Sequence, residues 1–236
     1  MTRRRWIADE VSGNRALLLG PHAQHLSRVL RARIGQEFDI STGEGIRRGR
    51  ITRISPDRVE FELGETISSP TVLRVTIALS IFKFDRMEWA IEKCTELGVT
   101  QIIPVIAQRT EAHLAAAAPK RVARWQRIAL EAAEQSRQLS PPEISAPIKL
   151  KDAVALPGSM RIVLSEAEDQ ITLTEALKSH GSDVILAFGP EGGWTKAELE
   201  MFRNAGWTSA SLGNTILRAE TAAIAALAVV LAELRQ

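Results

Sequence analysis

The sequence predicts an α/β protein of two modules: a small β-barrel or open sheet over residues 1–70, then a parallel sheet flanked by helices over residues 71–236. Three observations predict it. Short runs of alternating apolar and polar residues recur early, with turn chemistry between them. Residues 64–71 (GETISSPT) read as a linker. Beyond them, apolar runs rich in β-branched residues alternate with helical periodicity, the pattern of repeated β-α units.

In the first module the expected strands are 16–19, 37–41, 50–54 and 59–63. The segments Thr42-Gly43-Glu44-Gly45 and Ser55-Pro56-Asp57 supply turns. One helix, over 21–31, interrupts them. In the second module, 73–81 is a strand. Residues 85–97 place Met87, Ala90, Ile91, Cys94 and Leu97 on one helical face, and Gly98 comes next as a stop. A strand over 101–107 precedes a long helix over 119–138, and Pro141-Pro142 closes the short segment after that helix. A strand covers 161–165. Thr172 and Glu175 form a capping box for a helix closed by Gly181. A strand over 184–188 runs straight into Gly189. A short strand at 209–212 leads to a last helix over 218–234.

Composition narrows the function classes. Apolar residues make up 45%, enough for a core, and the net charge of +2 permits a nucleic-acid partner without implying one. That modest total hides an uneven distribution. Residues 1–70 hold twelve arginines against nine acids, a net +3, which leaves −1 for the rest. The single cysteine, Cys94, excludes an internal disulfide and a cysteine metal cluster. It falls on an apolar helical face and reads as inert core. His22, His113 and His180 stand apart from other ligand candidates, so no metal is expected. The basic start MTRRRWIADE has no apolar segment behind it, and the longest apolar run, 222–232, is far short of the ~20 residues that span a bilayer. A soluble, cytoplasmic protein without a membrane partner is the expectation.

Two segments carry the chemistry. The first is GPEGGWTKAELE, residues 189–200. Thr195 and Glu198 form a capping box, so a helix starts at Lys196, with Gly192 and Gly193 just before it. Glycine accepts positive φ and lets another group approach the backbone. The plain reading is a tight strand-to-helix turn. A phosphate loop is argued against, because neither G-x-x-x-x-G-K-[ST] nor G-x-G-x-x-G is present and Glu191 stands where an anion would sit. The ligand, if there is one, is neutral or cationic. Glu191 itself is either a general base or a hydrogen-bonding member of the turn, and both roles stay open.

The second segment, 212–222 (LGNTILRAETA), repeats the logic of strand, glycine loop and helix. Two such loops in neighbouring β-α units lie side by side at the carboxyl edge of the sheet, where open α/β proteins bind ligands. Arg218 opposes the helix dipole at that place, which argues for a task beyond solvation, whereas Glu220 suits it. The last helix has six alanines in its first ten positions from Ala219. It is either a buried core helix or one pressed against a partner subunit or a crowded chain crossing. His25, Arg28 and Arg31 share a helical face by spacing, either solvated or contacting nucleic-acid phosphates.

Taken together, these residues resemble the SPOUT-class methyltransferases that modify N3 of a uridine in 16S ribosomal RNA. The resemblance spans nearly the whole chain. It rests on Phe188-Gly189-Pro190-Glu191-Gly192-Gly193, on Leu212-Gly213, and on Ile216-Leu217-Arg218-Ala219-Glu220-Thr221-Ala222. Lys93-Cys94-Thr95-Glu96-Leu97-Gly98, Arg124-Trp125-Gln126-Arg127-Ile128, Glu131-Ala132-Ala133-Glu134-Gln135-Ser136 and His25-Leu26-Ser27-Arg28-Val29-Leu30-Arg31 also fit. Two positions depart: Thr215 stands where the family often has Arg, and Arg137-Gln138 where it usually has Gly-Arg.

The resemblance implies a PUA-like barrel followed by a SPOUT domain with a C-terminal trefoil knot, against the general rarity of threaded chains. It implies S-adenosylmethionine as cofactor, held by Leu164, Glu166, Gly189, Pro190, Glu191, Gly192, Gly193, Leu212, Gly213, Ile216, Leu217 and Ala222. A sulfonium beside Glu191 suits the acid that spoils a phosphate site. It implies catalytic roles for Arg218 and Glu220, with Glu191 or water as competing bases. RNA contacts fall to His25, Arg28, Arg31, Lys83 and Arg137. The implied partners are 16S ribosomal RNA or the small subunit, and a second copy of the chain through the last helix. The competing expectations are a non-catalytic RNA-binding assembly factor of the same fold, and a related enzyme acting on another RNA.

Overall fold

The structure, a computed structural model, describes residues 5–68, 73–168, 170–178, 181 and 183–234. It divides into two compact units. One holds 5–68 together with Ala133–Ser140, and the other holds 73–132 with 141–234. His180, and residues 69–72 of the expected linker, lie outside the described residues.

The first unit is a six-stranded sheet in the order β1-β4-β5-β6-β3-β2. Its elements are β1 Arg5–Ile7, β2 Glu10–Ser12, β3 Arg15–Leu19, α1 Gly20–Gln24, β4 Glu37–Ser41, β5 Ile46–Ser55 and β6 Arg58–Ser68. Neighbours are antiparallel except the pair β1 and β4. Period-2 alternation sends Ala16, Leu18, Phe38, Ile40, Val59, Phe61 and Leu63 inward, where Leu26 and Ile51 join them. β1 and β2 were not expected: each has three residues, and β2 is exposed throughout, so no alternation marks it. The expected linker is corrected. β6 continues through Gly64 to Ser68, because Thr66 and Ser68 pair with Arg47 and Ile46 across bulges in β5.

The expected helix over 21–31 is also corrected. α1 gives way to a π-helical turn, His25–Val29, and Arg31 lies past its end with φ 50°. The wider turn removes the shared face of His25, Arg28 and Arg31, although all three are exposed. His22, read as isolated, sits between two acids. Its Nδ1 lies 3.2 Å from Asp9 Oδ1 and its Nε2 2.9 Å from Glu134 Oε1.

The second unit is a seven-stranded parallel sheet. Its elements are β7 Arg74–Ser80, α2 Phe84–Leu97, β8 Gln101–Ile106, α3 Ala112–Ala117, α4 Val122–Ser136 (its residues from Ala133 on count with the first unit), β9 Glu143–Ile144, β10 Ile148–Lys149, α5 Leu150–Val154, β11 Met160–Leu164, α6 Leu173–Ala176, β12 Asp183–Phe188, α7 Lys196–Asn204, β13 Thr208–Ala210 and α8 Ala219–Leu234. The strand order is β10-β8-β7-β12-β11-β13, with β9 on β8. Successive residues of β7 serve opposite faces. Val75, Ile77 and Leu79 pack with α2, α4, α6 and α8, while Ala78 packs with α5 and α7. Burial on both faces is why these strands read as continuous apolar runs.

α6 stops at Ala176, short of the expected Gly181. Leu173 and Leu177, one turn apart, are its buried anchors, and Lys178 beyond them is exposed. Among the described residues no helix is long and apolar enough to cross a membrane. Nor does any group of three or more His, Cys, Asp or Glu sit ready to hold a metal ion.

Candidate functional site

Three strands of the second unit end at one level. Leu164, the last residue of β11, pairs with Phe188 at the end of β12 and with Ala210 at the end of β13. The loops that leave these ends therefore start side by side at the carboxyl edge. Together with Arg86 of α2 they wall a cavity of about 320 Å³.

Main-chain bonds hold the loops to one another. Ser165 N–H donates to the Ala210 carbonyl, Ser211 N–H to Ile171, and Leu173 N–H to Ser211, which staples the loop after β11 to the chain leaving β13. Trp194 is buried, and its indole N–H donates to the Leu164 carbonyl at 3.1 Å, fastening the loop after β12 to the end of β11. That loop closes on itself through Gly193 N–H to the Pro190 carbonyl, 2.7 Å.

Glycine is required at Gly193. Its φ is +66°, and an added Cβ would stand 2.8 Å from Glu166 Oε1. Gly213 has φ +106° with open space around it, so only the backbone conformation calls for glycine there. Behind the loop, α7 starts at Lys196 with both halves of the capping box formed. Glu198 is buried and accepts from Thr195 N–H at 2.8 Å and from Gln108 N–H at 2.7 Å, so it also ties α7 to the loop after β8.

The charged groups are organised around Arg86. Its Nη1 donates to Glu191 Oε1 at 2.6 Å, and its Nε lies 3.9 Å from Glu220 Oε1. Glu220 is only 4% exposed, and its Oε2 has no hydrogen-bond partner. Glu191 thus reaches across to α2, a contact that the sequence did not announce. Arg218 is on the cavity wall and exposed.

Eleven of the twelve cofactor candidates line the cavity: Leu164, Glu166, Gly189, Pro190, Glu191, Gly193, Leu212, Gly213, Ile216, Leu217 and Ala222. Gly192 is not among its lining residues, and its carbonyl accepts from Arg109. Glu220 lies behind the wall rather than on it. Lys83 is exposed at the start of α2 and is not among the lining residues. His25, Arg28, Arg31 and Arg137 belong to the first unit, where Arg137 has φ 61° and its carbonyl accepts from Arg5. Sequence reasoning missed Arg86, Trp194 and Thr215 on the wall. For Arg86 a signal existed: a cation in the first turn of a helix opposes the dipole, the same sign that marked Arg218.

Comparison with known proteins agrees with this geometry. Residues 69–231 match the RNA methyltransferase domain family. The ribosomal RNA small subunit methyltransferase E of Rickettsia conorii is 32% identical over 214 residues, covering 88% of this chain and 85% of the relative. That of Bacillus subtilis is 31% identical, covering 90% and 88%. The crystal structure of the Neisseria gonorrhoeae ribosomal RNA small subunit methyltransferase E bound to S-adenosyl methionine superposes with a TM-score of 0.84 at 31% identity, covering 98% of each chain. With the family's domain matched over most of its length, and relatives of one kind aligned along nearly all of it, the chain belongs to the RNA methyltransferase family, as one of its ribosomal RNA small subunit methyltransferases E.

Proposed function

We propose that the chain methylates N3 of a uridine in 16S ribosomal RNA, with S-adenosylmethionine as methyl donor. The observation that carries this is the cavity at the aligned ends of β11, β12 and β13. Its volume suits a small-molecule site, and irregular main chain from Ser211 to Arg218 forms one wall. A phosphate ligand fits poorly, because Glu166 and Glu191 share the wall. A cationic nucleoside fits it. Leu212, Gly213 and Leu217 would take the adenine and ribose through their backbone groups, and the loop from Gly189 to Gly193 would take the remainder.

When bound, S-adenosylmethionine supplies an electrophilic methyl group. The protein's task is to present uracil N3 without its proton. Arg218, exposed on the wall, would stabilise the uracil oxyanion that forms as the proton departs. Glu220 is buried and Glu191 is engaged by Arg86, so both are poor acceptors, and solvent takes the proton. The target base would be unstacked to reach the cavity.

We further read the first unit as a PUA-like barrel whose His25, Arg28, Arg31 and Arg137, with Lys83 of the second unit, contact the RNA backbone. The second unit we read as a SPOUT domain with a C-terminal knot. Its strand order and the stapling of the chain after β13 to Ile171 and Leu173 support that reading. A homodimer through α8 is supported by the exposed small residues Ala228 and Ala232 on a helix whose charged residues, Glu220 and Glu233, lie near its two ends.

The test is nucleoside mass spectrometry of ribosomal RNA from cells lacking the gene. Loss of 3-methyluridine, restored by the intact gene, is expected, and an unchanged level overturns the proposal. In single-turnover assays Arg218→Ala is expected to slow transfer by about 10²-fold with cofactor affinity unchanged.

A further inference from the structure

The three charged side chains Arg86, Glu191 and Glu220 come from α2, from the loop after β12 and from α8. Arg86 and Glu191 line the cavity with side-chain exposures of 31% each, and Glu220, just behind the wall, is the buried member at 6%. One guanidinium serves two carboxylates, so the group carries one acid more than base. Glu220 shows the shortfall directly: its Oε1 is 3.9 Å from Arg86 Nε, and its buried Oε2 is unpartnered. A buried carboxylate that is only half compensated raises the affinity of its surroundings for a cation. The other charges on the wall, Arg218 and Glu166, are exposed and of opposite sign, so they add no net charge and are screened by salt.

We infer that Arg86, Glu191 and Glu220 form a charge-selecting element that favours the cationic methyl donor over its neutral demethylated product. The inference rests on the cofactor reading proposed above. Methyl transfer removes the positive charge from sulfur, so an element with one excess negative charge holds the donor more tightly than the product. Product release is thereby built into the charge count. Arg86 sets the strength of the preference. Its single positive charge compensates one of the two acids, and so keeps the site from gripping any cation indiscriminately. It also fixes Glu191 at the rim.

The test is calorimetry with two probes, S-adenosylmethionine and S-adenosylhomocysteine, on the full-length protein and on Glu191→Gln and Glu220→Gln. Each substitution keeps shape and removes one acid. Both are expected to lower the ratio of donor to product affinity by about tenfold, the size of one charge acting across several ångströms of partly screened interior. A ratio unchanged in both variants overturns the inference. A ratio that falls in Glu191→Gln alone overturns the part given to Glu220. If Glu220→Gln fails to fold, Arg86→Gln replaces it: removing the one base leaves two acids, the ratio is expected to rise, and an unchanged ratio overturns the inference. Failure of the unaltered protein to bind either probe overturns the cofactor reading instead.

Discussion

At the scale of single residues, two positions make sharp demands. Gly193 holds φ +66° in the turn that lines the cavity, and alanine would both strain the backbone and press on Glu166. The carboxylate is the end of a flexible side chain and can yield, but the backbone cannot. Gly193→Ala is therefore expected to cost about 1 kcal/mol in urea unfolding and to weaken donor binding in calorimetry. The second position is His22. Its hydrogen bond to Glu134, with the further pull of Glu134 and Asp9, outweighs burial and lifts its pKa from 6.5 to about 9. The folded form thus binds its proton more tightly than the unfolded chain does. That contribution is complete below about pH 6.5 and is lost as pH rises through about 9. Chemical denaturation at steps between pH 6 and pH 10 should show falling stability across this window, and His22→Gln should flatten the fall.

At the scale of elements, the capping boxes tell how local chemistry was legible. Thr172 with Glu175 and Thr195 with Glu198 are spaced three apart, and both form as read. What could not be read is that Glu198 has a second partner ninety residues away, the N–H of Gln108. That bond makes a helix cap into a joint between two loops. Glu198→Ala would leave the part-buried N–H donors of Thr195 and Gln108 without their acceptor and is expected to cost about 2 kcal/mol, against about 1 kcal/mol for Thr195→Ala, both read from urea midpoints. Equal losses would reduce Glu198 to a cap. The same limit explains the rest. The glycines at 193 and 213 announce themselves, because positive φ is a property of one residue. Arg86 facing Glu191, 105 positions apart, has no periodicity to betray it. β9 and β10, with two residues each, are too short for any pattern. The α6 end and the continuation of β6 were decided by packing and pairing partners distant in sequence.

At the scale of the whole molecule, charge is divided as chemistry is. The excess arginine lies in residues 1–70, whereas the cavity loops hold acids and glycines. Not all of that arginine is available to a partner. Arg47 donates to the Gly13, Leu63 and Gly64 carbonyls and to Asn14, Arg58 pairs with Glu60 at 3.0 Å, and Arg48 faces Asp39 at 3.9 Å. These hold the first unit together. Arg28 in the π-helical turn and Arg31 just past it are exposed, and they are the ones we propose to meet phosphate. Each phosphate contact releases condensed counterions and adds about 0.7 to the slope of log affinity against log salt for single-stranded RNA. Arg28→Ala/Arg31→Ala should therefore lower the slope by about 1.4 in fluorescence anisotropy titrations with a ribosomal RNA fragment, and leave donor binding to the second unit unchanged. Arg47→Ala serves as the contrast: it should lower the melting temperature, because its loss unpairs carbonyls rather than phosphates. A slope that Arg28→Ala/Arg31→Ala leaves intact would move the RNA surface away from this turn, and the division of labour between the two units would have to be redrawn.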